Sequence, residues 1–259
     1  MSRGNRIFAF LGTGTSVGVP MIGCDCPVCR SDNPKNHRYR SSALIRTPNG
    51  NILIDTGPEL RLQLIREKVS VVHAVLYTHY HVDHLYGLDD LRLVAKHLGG
   101  SVPLYCTEEV EKVIRKTFSY AFTDEDAPVG FLPKLHFQRI DPTPFDVLGE
   151  TITPIPLIHS SFNVFGFRIG DMAYCTDVSE IPETSWPLLE GVQTLVIDCL
   201  RYKGHPAHMG LNEALEVIER LNPEKAYFTH MSHELDYETL PASLPGGVEM
   251  AYDGLRFEF

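Results

Sequence analysis

The sequence predicts an α/β fold in which two β-sheets pack face to face and helices cover their outer sides. Short β-rich runs recur along the whole length, and amphipathic helical segments occur in both halves of the chain. Each sheet and each helix must bury its apolar side against another element, so strands in two groups with helices around them favour this layered arrangement. No internal repeat, low-complexity tract or linker-like run interrupts the pattern, and we expect a single domain over residues 1–259.

The predicted strands are short apolar runs, and many of them end in Asp, Thr-His or Gly. They are RIFAFLG, SALIRT, NILIDTG, HAVLYTH, TPIPLI, FNVFGFRIG, MAYCTD, TLVIDC, KAYFTH and GLRFEF. Polar residues therefore collect at strand ends, which is where binding and catalytic sites are commonly built.

Helical periodicity marks four segments of the chain. They are Pro58–Lys68, Leu85–Leu98, Thr107–Phe118 and Leu211–Leu221. The last has an apolar stripe at helical spacing, and Asn222-Pro223 is expected to end it.

The composition is that of an ordinary soluble protein, with 43% hydrophobic and 22% charged residues. The formal net charge of −10 disfavours a nonspecific nucleic-acid binder, although local cations or metals would still admit a small phosphorylated substrate. The start of the chain has no apolar stretch suited to a signal peptide, and no run approaches the ~20 residues that span a bilayer. We expect a cytoplasmic protein with no membrane partner, and leave a homodimer open.

The strongest functional signal is the run from Thr78 to His84, at the end of the predicted strand HAVLYT. It supplies His79, His81, Asp83 and His84 as potential metal ligands within six positions. The turn can aim His79 and His81 at one point. If Asp83 and His84 begin the following helix, as neighbours they should point in different directions, which suits two metal ions instead of one.

Three further ligand-type residues follow apolar β runs in the same way as His79 does. They are His159 after TPIPLI, Asp177 in MAYCTD and His230 in KAYFTH. Each alone would more often be a surface or capping residue, but an open His-Asp cluster needs partners from elsewhere in the chain.

This pattern, HxHxDH followed by a lone His, a lone Asp and a C-terminal His, resembles the metallo-β-lactamase superfamily. The resemblance runs from about Ile7 to the C-terminus and implies a four-layer αββα sandwich with mixed sheets. Asp55 in NILIDTG matches the family's first motif, a strand-end aspartate that orients the site without being a direct ligand.

The resemblance also implies two divalent ions, either zinc or manganese, in the active site. The implied ligands are His79, His81 and His159 for the first ion, Asp83, His84 and His230 for the second, and Asp177 as a bridge between them. Two such ions lower the pKa of a shared water towards neutrality, which gives a hydroxide nucleophile. We count Asp83 and Asp55 among the catalytic residues as well.

A second metal site is predicted from the cysteine loop that follows Gly23. Cys24, Cys26 and Cys29 would hold a structural zinc, and the best candidate for its fourth ligand is His233. The alternative is three reduced structural cysteines. The other cysteines lie within apolar runs and are expected in the core: Cys106, Cys175 and Cys199.

The stretch LGTGTSVGVPMIGCDCPVC, together with HxHxDH and the pair His230 and His233, resembles the phosphoribosyl cyclic phosphodiesterases of the carbon–phosphorus lyase pathway. That family opens phosphoribosyl 1,2-cyclic phosphate, and related members open 2′,3′-cyclic nucleotides. By this resemblance His208 contacts the scissile phosphate and protonates the leaving oxygen, with His205 as the reserve candidate. A helix-entry surface histidine is the alternative.

For the charged residues on either side of the main motif, the sequence leaves open whether they contact the substrate or form local structural contacts. The basic segment 35–40 could grip a phosphate through Arg40, or be a solvated loop. Asp89, Asp90 and Arg92 could contact substrate or pair with one another.

We therefore predict a metal-dependent phosphodiesterase that acts on a small cyclic phosphate ester. One group of rivals consists of other hydrolases on the same fold: a thioesterase of the glyoxalase II kind, a lactonase or a tRNA 3′-endonuclease. The other is an accessory protein of cofactor biosynthesis, because the cysteine cluster also resembles the pyrroloquinoline quinone B proteins. The acidic charge opposes the endonuclease, and His208 opposes the thioesterase.

Overall fold

The computed structural model describes residues 6–123 and 131–259, so the basic start of the chain (residues 1–5) lies outside the described residues. The strands form two seven-stranded sheets. In spatial order the first contains β14 (Arg256–Glu258), β1 (Ile7–Gly12), β2 (Ser42–Thr47), β3 (Gly50–Ile54), β4 (Ala74–Leu76), β5 (Val102–Cys106) and β6 (Leu135–Arg139). The second contains β13 (Val248–Met250), β12 (Lys225–Thr229), β11 (Thr194–Asp198), β10 (Met172–Cys175), β9 (Phe162–Ile169), β8 (Glu150–His159) and β7 (Phe145–Val147).

Both sheets are mixed. Strands β3 to β6 run parallel to one another in the first sheet, as do β10 to β13 in the second, while the remaining neighbours are antiparallel. Because parallel strands end at the same edge of a sheet, the residues that follow β3, β4, β10, β11 and β12 can converge on one region between the sheets.

Alternate residues of each central strand enter different apolar cores, as the two-residue period of a strand requires. Phe8 and Phe10 of β1 lie in the core between the sheets, where they meet Val196 and Tyr227 of the second sheet. Leu11 of β1 faces the opposite way, into the core under the helices of the first sheet. A third core lies under the helices of the second sheet. These three cores confirm the four-layer αββα sandwich.

The helices lie outside the two sheets. They are α1 (Leu60–Arg66), α2 (Val82–Leu85), α3 (Leu91–Leu98), α4 (Glu108–Thr117), α5 (Trp186–Leu189) and α6 (Leu211–Leu221). Helix α6 has the predicted bounds and ends at Asn222 in the left-handed conformation, with φ 47°. Helix α4 begins after Thr107, whose side chain accepts a hydrogen bond from the Val110 N–H over 3.3 Å.

The prediction of one continuous helix over Leu85–Leu98 is wrong, because the chain breaks after α2 and passes through a 3₁₀ turn at Leu88–Asp90 before α3. The break occurs at Gly87, whose N–H donates to the Thr56 carbonyl over 2.8 Å. A Cβ at Gly87 would collide with the Gly57 carbonyl oxygen. Close approach of two backbone segments therefore overrides the helical periodicity here.

No helix among the described residues is both long and apolar enough to cross a bilayer. The predicted core cysteines are buried, with Cys106, Cys175 and Cys199 each 0% exposed. The single-domain organisation over residues 1–259 stays a prediction.

Candidate metal centre

Three strand-end residues turn the chain sharply where the sheets meet the site. Asp55, Asp177 and His230 have φ values of 62°, 53° and 57°, in the left-handed region that few side chains adopt. Asp and His are among the residues that tolerate it best, and non-glycine residues held there often mark functional sites. All three are buried, so their side chains face the interior of the site.

The seven implied ligands fall into two groups. Within each group the potential ligand atoms lie within 4.8 Å of one another: His79, His81 and His159 in the first, and Asp83, His84, Asp177 and His230 in the second. The structure therefore brings together the residues that the resemblance assigns to two ions, and divides them in the implied way.

The spacing inside the second group fits a metal ion. His84 Nε2 lies 3.1 Å from Asp177 Oδ2 and 3.3 Å from Asp83 Oδ2, and His230 Nε2 lies 3.2 Å from Asp177 Oδ1. A tetrahedral ion with bonds of about 2.0–2.1 Å separates its ligand atoms by roughly 3.3 Å. Among the described residues, Nε2 of His79, His84 and His230 is buried and forms no hydrogen bond of suitable geometry, although Asp177 oxygens lie 3.1 Å and 3.2 Å from the last two. Buried nitrogens left in this way need a partner, and a cation supplies one.

Asp177 is placed to join the two groups. Its Oδ1 lies 4.0 Å from His79 Nε2 of the first group and 3.2 Å from His230 Nε2 of the second. It also falls within 4.8 Å of ligand atoms of His159 and His208. One carboxylate therefore faces both groups, which is the arrangement a bridging ligand requires.

The expectation that Asp83 and His84 point in different directions is wrong. Both belong to the short helix α2, yet Asp83 Oδ2 and His84 Nε2 approach within 3.3 Å. The division between the two ligand groups instead falls between His81 and Asp83, where the chain enters α2.

Asp55 belongs to neither ligand group. It orients two ligand imidazoles through hydrogen bonds on the side that faces away from the candidate metal site. Its Oδ2 accepts from His84 Nδ1 over 2.7 Å and from the Thr78 hydroxyl over 2.7 Å. The Thr78 oxygen lies 2.9 Å from His79 Nδ1. These contacts leave Nε2 of both imidazoles facing the site, because an imidazole held at one nitrogen presents the other to a metal. Thr78 was not singled out from the sequence.

The carboxylates make this region strongly favourable for cations. Burial opposes the charged form of His84, but Asp177 and Asp83 raise its pKa well above the ordinary value. Burial likewise opposes charge on His230, and Asp177 together with Asp83 raises its pKa to about 9. The second ligand group therefore has a negative potential, which favours divalent ions. In the first group burial has the larger effect and lowers the pKa of each histidine: His79, His81 and His159.

His208 lies against both ligand groups and has a partner that the sequence analysis missed. Its ring centroid is 4.6 Å from that of His159 and 4.7 Å from that of His230. Its Nδ1 lies 2.7 Å from Oδ2 of Asp198, a fully buried carboxylate that also accepts from the Val178 N–H over 2.9 Å. Asp198 ends β11 in TLVIDC, and this strand-end position, shared with Asp55 and Asp177, was the signal that could have revealed it.

The loop that contains His208 also orients one ligand. His159 Nδ1 lies 2.6 Å from the Ala207 carbonyl oxygen, which leaves its Nε2 for a metal. His205 is exposed, and its Nδ1 accepts from the Ala207 N–H over 3.2 Å. Its roles as reserve acid and substrate contact stay predictions.

The cysteine loop and His233 come together as predicted from their spacing. His233 Nδ1 lies 3.1 Å from Cys24 Sγ, 3.4 Å from Cys26 Sγ and 3.6 Å from Cys29 Sγ. A tetrahedral zinc, with bonds of about 2.3 Å to sulfur and 2.0–2.1 Å to nitrogen, would separate these atoms by roughly 3.6 Å. Burial opposes ionisation of Cys26, but hydrogen bonds from the Cys29 backbone and neighbouring side chains lower its pKa to about 7. The donor set fits a structural zinc, whose presence stays a prediction.

Two cations of the basic segment after the cysteine loop, Lys35 and Arg38, form contacts within the protein. Arg38 is 1% exposed and donates to the Ser232 and Leu235 carbonyl oxygens, each over 2.6 Å. Lys35 lies over the rings of Tyr237 and Tyr252. Neither the phosphate grip nor the solvated loop describes these two residues, because both hold the segment that follows His230.

Arg40 and the acidic residues after the main motif make local ion pairs. Arg40 pairs with Glu59 and donates to the Ser16 carbonyl oxygen, so its predicted contact with substrate stays untested. Arg92 lies 3.0 Å from Asp89, which favours the local-pairing interpretation of that segment.

A family model of the β-lactamase superfamily domain matches residues 50–231, a range that includes all seven implied ligands. A new diphosphatase from the PhnP family has a solved structure that is 39% identical, with a TM-score of 0.92 over 98% of this chain and 97% of that one. The chain belongs to the PhnP family of the β-lactamase superfamily. This confirms that the chain belongs to the metallo-β-lactamase superfamily and has its fold, as the sequence predicted. The fold is one of metal-dependent hydrolases.

Two curated relatives are longer than this PhnP-family chain. An octanoyltransferase of Porphyromonas gingivalis is 37% identical over 250 residues, which make up 95% of this chain and 50% of that protein. Coenzyme PQQ synthesis protein B of Rhodopseudomonas palustris is 29% identical over 169 residues, 60% of this chain and 51% of that protein. The chain spans about half the length of these relatives, whose names describe the longer proteins.

Proposed function

We propose that this PhnP-family protein is a dinuclear metal-dependent phosphodiesterase that opens a small cyclic phosphate ester. Phosphoribosyl 1,2-cyclic phosphate and 2′,3′-cyclic nucleotides are the candidate substrates. The observation that carries the proposal is the position of His208, a histidine backed by a buried carboxylate and in ring contact with both groups of candidate ligands.

Two divalent ions, zinc or manganese, would supply an activated water and neutralise the charge that develops on the phosphoryl oxygens. The residues that would hold them are His79, His81 and His159 on one side, Asp83, His84 and His230 on the other, and Asp177 between them. Asp55 keeps His84 and, through Thr78, His79 in the orientation this requires.

His208 acts on the leaving oxygen in this proposal. Asp198 accepts from Nδ1 of His208, so Nε2 is the nitrogen available to face the substrate. A proton donor beside the ligand groups is what departure of a poorly stabilised alkoxide needs, whereas a thioester expels a better-stabilised thiolate. This difference favours phosphodiester chemistry over the thioesterase.

A second candidate activity is hydrolysis of a phosphoric anhydride, which the 39% identical diphosphatase favours. The ligand groups would serve equally well, because both reactions place negative charge on oxygens around phosphorus. The octanoyltransferase name gives no comparable support, since the matching region is only half of that protein.

The test is turnover by protein loaded with Mn²⁺ or Zn²⁺, measured on a ribose cyclic phosphate, bis(p-nitrophenyl) phosphate, a dinucleoside diphosphate, a thioester and a lactone. We expect the cyclic phosphate to have the highest kcat/KM. The His208→Ala variant should lose at least tenfold on the ribose cyclic phosphate, because general acids typically contribute about 10²–10⁴-fold. It should lose less on the p-nitrophenyl diester, whose leaving group departs without a proton.

The matched control is His97→Ala, which removes an exposed imidazole from α3. It should leave the turnover of both substrates and the metal content unchanged. Equal losses on both diesters in His208→Ala would make His208 an electrostatic contact instead of an acid. A higher kcat/KM on the anhydride, the thioester or the lactone would overturn the assignment to cyclic phosphates.

A further inference from the structure

The two imidazole ligands of the second group, His84 and His230, are held in different ways. Asp55 accepts a hydrogen bond from His84 Nδ1, which fixes that ring on the side away from the site. His230 Nδ1 is buried and forms no hydrogen bond among the described residues. An imidazole without such a bond depends on its backbone for its position, and His230 lies in the left-handed region with φ 57°. The contacts that fix this backbone turn therefore place the ligand.

The turn at His230 is fixed on its C-terminal side by the loop that follows β1. The Met231 N–H donates to the Thr13 carbonyl oxygen over 2.8 Å, and the Met231 carbonyl oxygen accepts from the Thr15 N–H over 3.2 Å. Met231 and Thr13 are both 0% exposed. We define residues 13–15 as the anchoring loop. Because Met231 directly follows the ligand, a shift of this loop would move the backbone from which His230 reaches the site.

Asp253, close to the C-terminus of the chain, holds the anchoring loop. Its Oδ1 accepts from the N–H and from the hydroxyl of Thr13, over 2.9 Å and 2.8 Å. Its Oδ2 accepts from the Tyr39 N–H over 2.8 Å, and the Tyr39 carbonyl oxygen accepts in turn from the Gly14 N–H over 2.8 Å. One carboxylate therefore fixes the loop directly through Thr13 and indirectly through Tyr39.

The Asp253 carboxylate carries its charge at a cost to folding. Burial raises its pKa to about 6, although the Tyr39 N–H, the Arg66 guanidinium 3.5 Å away and the two Thr13 donors act in the opposite direction. At neutral pH the group is thus ionised in surroundings that favour its neutral form. An amide of the same size would avoid this cost, but its nitrogen cannot accept, so it could not serve Thr13 and Tyr39 at once.

We infer that Asp253 is a positioning residue of the candidate metal centre, which fixes the anchoring loop and, through Met231, the backbone turn that directs His230 to the second ion. Asp253 itself contacts neither the ion nor the substrate. The inference rests on the ion binding that the proposed function requires, and it does not depend on which ester the centre opens.

The test is the affinity of the His-Asp centre for its ions in Asp253→Asn. One equivalent of zinc is bound first, since the thiolates of the cysteine loop favour it, and the protein is then titrated with Mn²⁺ or Zn²⁺ by calorimetry. Outer partners of metal ligands typically contribute about 10–100-fold, and we expect the ion of the second group to bind about tenfold more weakly in the variant. The ion of the first group should bind as in wild type, because none of its ligands follows this turn.

Hydrogen exchange in the metal-free protein tests the path from Asp253 to the ligand. The Met231 and Thr15 amides should exchange faster in Asp253→Asn, because the loop that pairs with Met231 is released. Thr13→Val removes one hydrogen bond to Asp253 and should cause a smaller loss of ion affinity. Thr13→Ser keeps the hydroxyl and should bind the ions as wild type does. The losses of Thr13→Val and Asp253→Asn should be less than additive when combined, since both act on one contact.

The control is Glu111→Gln, which changes a buried carboxylate distant in the chain from both ligand groups. Glu111 is 7% exposed and accepts from Arg115 and Arg139 over 2.8 Å and 2.7 Å. This variant should lower the melting temperature and leave both ion affinities unchanged. A general contribution of Asp253 to stability would instead make the two variants alike.

The outcomes separate the inference from the proposed function. If Asp253→Asn binds both ions as wild type does, or if Glu111→Gln weakens them equally, the inference is wrong. Where Asp253→Asn does not fold, Thr13→Val decides, and wild-type affinity in that variant overturns the inference. If wild-type protein binds no ion at the His-Asp centre, the inference and the proposed function both fail. If it binds two ions but opens no phosphodiester, only the proposed function fails.

Discussion

The two candidate metal sites of this protein are built in opposite ways. The His-Asp centre collects its ligands from strand ends of both sheets and from helix α2, and groups such as Asp55 and the Ala207 carbonyl oxygen hold the other nitrogen of the imidazoles. The cysteine site collects three ligands from one irregular loop, and its Cys24 and Cys26 are only half-buried. The first arrangement would fix its ligands before an ion binds, whereas the second would depend on a bound zinc to hold the loop together.

One short C-terminal segment connects the two sites. His230 follows β12 and faces the His-Asp centre, while His233 reaches the cysteine loop three residues later. Arg38 fixes the carbonyl oxygens of Ser232 and Leu235 on either side of His233. The comparison therefore predicts that damage to the first site removes activity with little loss of stability, and damage to the second does the reverse.

The largest effect is expected from Asp177→Ala. This carboxylate faces both ligand groups, so its loss should reduce hydrolysis at least a thousandfold and lower the metal content of the centre towards one ion. Diester turnover and elemental analysis measure the two effects. Asp146→Ala, which removes an exposed carboxylate from β7, is the control and should behave like wild type. Two bound ions and full activity in Asp177→Ala would falsify the bridge.

A smaller effect is expected from Asp198→Asn, which tests the buried partner of His208. Asparagine keeps the size of the side chain and one acceptor oxygen, but it replaces the carboxylate beside His208 Nδ1 with a neutral amide. Outer partners of this kind typically contribute about 10–100-fold, and we expect that loss in kcat on a ribose cyclic phosphate. On the p-nitrophenyl diester the loss should be smaller.

A double-mutant cycle shows whether Asp198 acts through His208. The Asp198→Asn/His208→Ala variant should then be no slower than His208→Ala alone, since the single substitution already removes the positioned imidazole. Additive losses would mean that Asp198 supports the site independently, for instance through the backbone of Val178.

The sequence predicted the candidate metal ligands well, because each of them is a ligand-type side chain close to the end of a recognisable strand. The dense run from His79 to His84 and the lone His159, Asp177 and His230 were all placed correctly relative to the strands, because a strand end and a ligand side chain are both local features. Asp198 was missed because its role depends on a contact with a loop ten residues away. The break at Gly87 was missed for the same reason, since it reflects the approach of Gly57 from another segment.

The cysteine loop shows how far spacing alone can reach. Three cysteines within six positions indicated a metal site, and the choice of His233 followed from its distance to His230 along the chain. What spacing could not show is that Arg38 and Lys35 anchor the same segment, because long cationic side chains look alike in sequence whether they are buried or solvated.

The smallest effect on catalysis, and the one that most sharpens the comparison, is expected from Cys26→Ser. The side chain loses its thiolate but keeps its size, so zinc binding should weaken and protein should be isolated with one zinc fewer. Loss of a structural metal removes folding free energy, which for a chain of this length should lower the melting temperature by on the order of 10 °C. Activity of the folded fraction should fall less than threefold, because Arg38 still holds the segment after His230.

The control is Cys106→Ala, which changes a buried core cysteine outside the cluster. This variant should lose some stability and no zinc. If Cys26→Ser keeps its zinc and its melting temperature, the cysteines are reduced structural residues. If instead it abolishes activity in protein that remains folded, the two sites are not separable and the comparison fails.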